Sequence, residues 1–283
     1  MRFIMPELPE VETIVRQLRP CIVGKTIIQM DIHRTDQWSL EADIVREQTV
    51  GRTMTKIERR GKFVVIHLDC RLCLVIHLRM TGKLTWRQGI LAFEKYDRTI
   101  FHLQDRSFIH YNDTRALGKL EIVPVEQLAA RFAHYAPDPF STEFTRDYLI
   151  NIVKKSRLFI KDFLIDQKKI GGIGNIYANE ILFHSRINPT RPANSLTDAE
   201  INRLYSHIPN ILSEAITHMG STLGNHVSDY RNVYDKSGNY QAFLQVYGRQ
   251  KKPCHQCNNQ IVRIVHKGRS SFFCPVCQPI IGE

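Results

Sequence analysis

A chain of 283 residues is long enough for two domains and a small module, and 43% hydrophobic with 24% charged residues is ordinary globular composition. No apolar run approaches the roughly 20 residues a membrane span needs, and Met1-Arg2-Phe3-Ile4 is too short for a secretory signal, so a cytoplasmic protein is expected. Thirty-nine Lys and Arg against 28 acids give a net charge of +11, which points to a polyanionic partner, since each cation placed on a phosphate releases counterions.

The chain opens on Met5-Pro6-Glu7-Leu8-Pro9-Glu10, ahead of Val11, Ile14, Val15 and Leu18. That spacing predicts a helix with one buried face, ended by Pro20 and Gly24. Prolines and acids in a first turn are ordinary helix-start chemistry. A second reading is chemical. If translation starts at Met5, removal of that methionine exposes Pro6 as a secondary amine, which attacks an aldehydic sugar carbon to give an iminium ion. Glu7 is the neighbour that handles protons. Met1-Arg2-Phe3-Ile4 would lock Pro6 in an amide, so Met5 is the expected working start.

Ile27 to Ile32, Phe63 to Leu68, Leu72 to Leu78, Ile100 to Leu103 and Leu120 to Val123 are apolar or alternating runs between turn formers. They predict a β-sandwich or barrel with the opening helix lying on it. Cys70-Arg71-Leu72-Cys73 falls at an expected hairpin and reads as turn and core residues; Cys21 stands alone. Ala136-Pro137-Asp138-Pro139-Phe140-Ser141 breaks the strand pattern as a linker.

Beyond it the period becomes helical, over Phe144 to Val153, Phe159 to Asp166 and Ile176 to Phe183. Thr197-x-x-Glu200 is a capping box opening a longer helix with Ile201, Leu204, Ile208 and Ile211 on one face, kinked at Pro209. Gly171-Gly172-Ile173-Gly174-Asn175 is open to two readings: a phosphate cradle with Asn175 as N-cap, or a tight turn with no ligand. The polar stretch 227 to 243, including Ser228, Asp229, Tyr230 and Arg231, reads as a mobile loop, either a linker or a substrate grip.

Cys254, Cys257, Cys274 and Cys277 form two Cys-x-x-Cys pairs flanking 16 residues with strand-like Ile261 to His266 and Phe272-Phe273. Four thiolates at that spacing predict one structural Zn2+ closing a β-hairpin, with no open position for catalysis. Arg263, His266, Lys267 and Arg269 would line the hairpin for phosphate contacts.

Together these stretches resemble the formamidopyrimidine-DNA glycosylase (Fpg) family, which shares its fold with endonuclease VIII. The resemblance runs from Pro6 to Cys277. It is carried by Pro6-Glu7-Leu8-Pro9-Glu10-Val11-Glu12, Gly61-Lys62-Phe63, His77-Leu78-Arg79-Met80-Thr81-Gly82, Asp113-Thr114-Arg115, Gly172-Ile173-Gly174-Asn175-Ile176-Tyr177-Ala178-Asn179-Glu180, Leu244-Gln245-Val246-Tyr247-Gly248-Arg249 and the four cysteines. It implies an α+β fold: an N-terminal β-sandwich with an N-terminal helix over 1–135, a helix–two-turn–helix domain over 136–226, a lesion-covering loop over 227–243 and a β-hairpin zinc finger over 244–283.

The implied activity is that of a monomeric, nucleoid-associated base-excision enzyme on damaged double-stranded DNA. It would flip out an oxidised purine (8-oxoguanine or a formamidopyrimidine), cut its glycosidic bond and cleave the strand by β,δ-elimination. By resemblance, Pro6 is the nucleophile at C1′, Glu7 the proton shuttle, and Lys62 pairs with the phosphate beside the lesion. Glu10 contacts the lesion; Asn175 and Arg269 hold phosphates. The gap left by the flipped base is filled in the family by a methionine, an arginine and a phenylalanine. Met80 and Arg115 match the first two, but the third position departs: Arg115-Ala116-Leu117-Gly118 puts Leu117 where an aromatic ring is usual, so altered damage search or opposite-base discrimination, rather than lost chemistry, is expected. Leu8 favours the oxidised-purine branch. The alternatives are an oxidised-pyrimidine glycosylase of endonuclease VIII type, a silent damage-binding protein if Pro6 is acylated, and a generic zinc-ribbon nucleic-acid binder.

Overall fold

The fold is that of a computed structural model, which describes residues 5–224 and 229–280. Met1-Arg2-Phe3-Ile4, and Val227 and Ser228 of the expected covering loop, lie outside the described residues. The chain divides into two compact units, Met1–Ala133 with Ile216–Gln241, and His134–Ala215 with Ala242–Glu283.

In the first unit, helix α1 (Leu8–Ile22) buries Leu8, Val11, Ile14, Val15 and Leu18, the stripe its spacing demands. Pro20 does not end it. Pro20 sits in the last turn, where its missing N–H forgoes one bond while the helix continues to Ile22, and the chain leaves through Val23. Two four-stranded antiparallel sheets follow. One has the order β1 (Ile27–Ile32), β6 (Asp97–Leu103), β7 (Ser107–Asp113), β5 (Gly82–Gln88). The other has the order β2 (Met54–Arg60), β3 (Phe63–Leu68), β4 (Leu72–His77), β8 (Lys119–Pro124). A short helix α2 (Ala42–Thr49) lies between β1 and β2. The inner faces of both sheets and α1 share one core that includes Ile27, Ile57, Ile66, Leu74, Phe101 and Tyr111, which makes the unit a sandwich. Strand β3 is apolar on both faces because Phe63 and Val65 enter a second cluster with Val75, Val123 and Leu128, the last on helix α3 (Leu128–Phe132).

The stretch 229–241 is anchored rather than loose. Val233 is fully buried and Tyr230 nearly so in the sandwich core; the Trp86 N–H donates to the Val233 carbonyl (3.0 Å), and Val233 N–H to Gln17 (3.2 Å). Its polar composition conceals two apolar pegs.

The second unit holds α4 (Arg146–Lys154), capped by Thr145, α5 (Ile160–Ile165), α6 (Asn175–His184) and most of α7 (Asp198–Thr217), then the hairpin β9 (Val262–His266) and β10 (Arg269–Phe273). Helix α6 is buried from Ile176 to Phe183, as expected of a central helix. Helix α7 runs on through Pro209, and Thr197 and Glu200 cap its start reciprocally. The Ala136–Ser141 stretch belongs to this unit: the Ala136 N–H donates to the Gln167 carbonyl (2.9 Å) and Gly171 N–H to the Pro137 carbonyl (3.0 Å).

Candidate active site and zinc centre

Pro6 and Glu7 are both buried just before α1. Glu7 is the N-cap, and its carboxylate accepts the Glu10 N–H while the Glu10 carboxylate accepts the Glu7 N–H (2.8 Å), a capping box built from two glutamates. The other Glu10 oxygen accepts the Ser221 N–H (2.7 Å). Gly220 makes this possible: its φ is +77°, and a Cβ there would lie 2.6 Å from Glu10 Oε1. Glu10 therefore fixes the Pro6-Glu7 turn against the foot of the 222–241 stretch. Tyr230 approaches the Glu10 carbonyl (3.5 Å), and burial followed by the Glu10 charge pushes its hydroxyl well above the usual range, so it stays a neutral donor.

Lys62, at the β2–β3 turn, is almost fully buried. Close by in charge is His77, whose imidazole is pushed down to about 3 by burial, then by Arg79 and Lys62. Its Nδ1 accepts the Arg79 N–H (3.0 Å), so the single proton of the neutral ring sits on Nε2 and is available to an acceptor. The sequence singled out Lys62 and passed over His77, whose surroundings are not visible in the chain order.

Met80 and Arg115 meet: Arg115 Nη1 lies 3.8 Å from Met80 Sδ. Leu117 is 41% exposed, large for an apolar side chain, and follows Ala116, held at φ +52°. Gly118 is tightly enclosed; an added Cβ would fall 1.8 Å from the Tyr111 hydroxyl oxygen. Between these loops lies the Asp113 carboxylate, fully buried at the end of β7.

In the second unit the N-cap of α6 is Gly174, and Asn175 is the first helical residue. The expectation of Asn175 as N-cap is corrected here: the extended conformation needed at the cap falls on Gly174, one residue earlier. Asn175 Oδ1 is buried with no hydrogen-bond partner among the described residues. One turn on, Asn179 Oδ1 accepts the Phe272 N–H (2.6 Å) of β10, and Lys161 Nζ donates to the Ser270 carbonyl (2.5 Å). These bonds dock the hairpin on α5 and α6. Arg269, exposed at the start of β10, stands at the turn of that hairpin.

The Sγ atoms of Cys254, Cys257, Cys274 and Cys277 all lie within 4.8 Å of one another, with Cys254–Cys277 at 3.9 Å and Cys257–Cys274 at 3.4 Å. Thiolates at about 2.3 Å from a tetrahedral zinc stand roughly 3.8 Å apart, so the set fits that ion. Backbone N–H groups of Gln256 and Cys277 face the sulfurs of Cys254 and Cys274 (3.4 and 3.5 Å), which favours thiolates. Gln278 ties the module down, donating to the Ile187 carbonyl (2.8 Å) and accepting the Cys274 N–H (3.0 Å).

Models of three protein families match in sequence: the formamidopyrimidine-DNA glycosylase N-terminal domain over residues 5–120, the formamidopyrimidine-DNA glycosylase H2TH domain over 135–226, and the zinc finger found in FPG and IleRS over 251–280. The formamidopyrimidine-DNA glycosylase of Desulforamulus reducens is 39% identical over 278 residues, covering 97% of this chain and 99% of the relative. The Lactococcus lactis Fpg bound to DNA containing an abasic site has a TM-score of 0.90 at 32% identity, over 97% of this chain and 100% of that one. The same Fpg bound to DNA containing N7-benzyl-Fapy-dG gives a TM-score of 0.90 at 32% identity over the same shares. No helix among the described residues is long and apolar enough to cross a membrane.

Proposed function

The chain belongs to the formamidopyrimidine-DNA glycosylase family, and from that premise we propose that it excises oxidised purines from duplex DNA and then cuts the strand. Pro6 attacks C1′ as the base leaves, the iminium acidifies the neighbouring C–H bonds, and successive eliminations break the sugar's two phosphate ester bonds. Glu7 protonates the opening sugar ring and shuttles protons. Glu10 serves the lesion side through its hold on Ser221. Lys62 and the neutral Nε2–H of His77 meet the adjoining phosphate. Asn175 and Arg269 contact phosphates from the second unit, and Met80, Arg115 and Leu117 fill the gap left by the flipped base.

One observation carries this reading. Beyond the capping box of an ordinary helix start, the Glu10 carboxylate also takes the Ser221 N–H from far along the chain, and so holds Pro6 beside the buried Glu7 carboxylate. The zinc is structural, since four cysteines close its coordination sphere. The working division is a catalytic domain over 1–135, a helix–two-turn–helix domain over 136–226, a lesion-covering segment over 227–243 and a zinc module over 244–283, acting as a monomer in the cytoplasm.

An amide nitrogen cannot form an iminium, so the active species needs a free Pro6 amine. The test is borohydride trapping on an 8-oxoguanine:cytosine duplex, with protein made from its own translation signals and with protein begun at Met5. An adduct mapping to Pro6 is the expected result. Trapping only in the shorter protein would mean that Met1-Arg2-Phe3-Ile4 silences the enzyme, and trapping in neither would overturn the proline mechanism.

A further inference from the structure

We infer that Asp113 is the positioning residue for the gap-filling side chains, its carboxylate fixing both loops that present them. The inference rests on the reading of Met80, Arg115 and Leu117 given above and deepens it. Asp113 Oδ1 accepts the Thr81 hydroxyl and the Arg115 N–H (3.2 Å). Its Oδ2 accepts the Gly118 N–H (2.9 Å), Gln37 Nε2 (3.0 Å) and the Tyr111 hydroxyl (3.3 Å). Thr81 directly follows Met80, while Arg115 and Gly118 bracket Ala116 and Leu117. One buried carboxylate thus sets the spacing of the two loops.

The local backbone needs that hold. Ala116 sits at φ +52°, a conformation an alanine does not adopt unaided, and there it leaves Leu117 exposed. An exposed leucine on a free loop would fold back onto apolar surface. A wedge must also resist the push of a restacking base, so its support has to be rigid before DNA arrives. Asp113 gives that rigidity because both its oxygens only accept. In Asp113→Asn an amide NH2 on one side leaves the Arg115 N–H with the Thr81 hydroxyl oxygen alone (3.2 Å), and on the other side it faces the Gly118 N–H, which cannot turn to accept.

The experiment compares wild type, Asp113→Asn and the milder Thr81→Val, each checked for zinc content and melting temperature. It reads excision of 8-oxoguanine opposite each base, cleavage at a preformed abasic site, and the fluorescence of 2-aminopurine beside the lesion. In Asp113→Asn excision should fall about 10- to 100-fold and opposite-base ratios should compress. Abasic-site cleavage, where no base resists extrusion, should stay within about threefold, and the fluorescence step that reports wedging should be lost. Thr81→Val should shift the same readouts less. Equal losses on both substrates, or an unaltered fluorescence step in Asp113→Asn, would overturn the role. If wild type cleaves neither substrate the glycosylase reading fails, but the fluorescence step needs only binding and still decides for or against Asp113.

Discussion

Replacing His77 by Asn tests the electrostatics beside Lys62. The imidazole is 9% exposed, edge-on to Phe63 at 4.5 Å between centroids, and held down to about 3 by burial, Arg79 and Lys62. An unfolded histidine takes its proton near pH 6.5, whereas the folded one stays neutral far below that. The folded pKa is therefore depressed: the stability of the neutral ring is fully present above about pH 6.5 and is lost as pH falls, at about 1.4 kcal/mol per pH unit. Between pH 6.5 and 5 that comes to about 2 kcal/mol. Asn offers Oδ1 where His offers Nδ1 to the Arg79 N–H, and it does not titrate. His77→Asn should be less stable at pH 7 for lack of the ring, yet lose about 2 kcal/mol less than wild type on going to pH 5. Both tryptophans, Trp38 and Trp86, lie in the first unit, so urea unfolding followed by their fluorescence reports that unit alone. Parallel pH dependences in the two proteins, or an NMR titration of His77 near 6.5, would refute the reasoning.

Leu117→Phe restores an aromatic ring at the wedge and should widen the ratio of excision rates between opposite bases; an unchanged ratio would show that the leucine does not set discrimination. Glu180→Gln should destabilise the second unit by about 1–3 kcal/mol, because one amide orientation turns an NH2 onto the Gln245 N–H and the other onto those of Val246 and Tyr247. Hydrogen exchange at residues 245–247 checks this, and protection equal to wild type counts against it. Stripping zinc with a chelator should unfold the β9–β10 hairpin, since binding free energies on the order of 10 kcal/mol hold such modules together. DNA affinity should fall with the loss of Arg269 while the tryptophan signal of the first unit stays unchanged; affinity that survives chelation would contradict a phosphate role for the hairpin.

What was legible in the chain followed periodicity. The stripe of α1, the apolar runs of β3 and β4 and the paired cysteines were visible because one local pattern determines each. Strands β2, β5 and β7 were not. β2 buries only Met54 and Ile57, and β7 is buried throughout yet carries His110, Asn112 and Asp113, whose partners come from far along the chain: Asp97 for His110 Nδ1 and Asn112, Gln37 and Thr81 for Asp113. Helix α2 buries just Val45 and Thr49, too few to mark a stripe. Pro20 read as a stop because its position relative to the last helical hydrogen bonds is a matter of one turn. Among the candidate residues, the side chains of Pro6, Lys62 and Arg269 were nameable from motif, whereas His77 and Asp113 act through groups brought from other strands. No sequence window contains Gln37, Thr81, Tyr111 and Gly118 together.

Three buried carboxylates share one design. Glu10 takes backbone N–H groups of Glu7 and Ser221, Asp113 those of Arg115 and Gly118, and Glu180 those of Gln245, Val246 and Tyr247. In each case the donors belong to a turn or loop that has no strand neighbour to accept them. A carboxylate is the side chain with two acceptor oxygens and no competing donor, so it alone receives N–H groups converging on both sides. Burial costs it heavily, and for Glu180 burial pushes the carboxyl up while the three N–H groups oppose that shift. The arrangement persists only where every donor stays in place, which makes these loops rigid or unformed with little between. A surface salt bridge could not do this, being screened and weakly directional. Hence the turn bearing Pro6 and the loops bearing Met80, Arg115 and Leu117 are each hung from a buried anion, and amide isosteres at those anions should damage positioning more than charge.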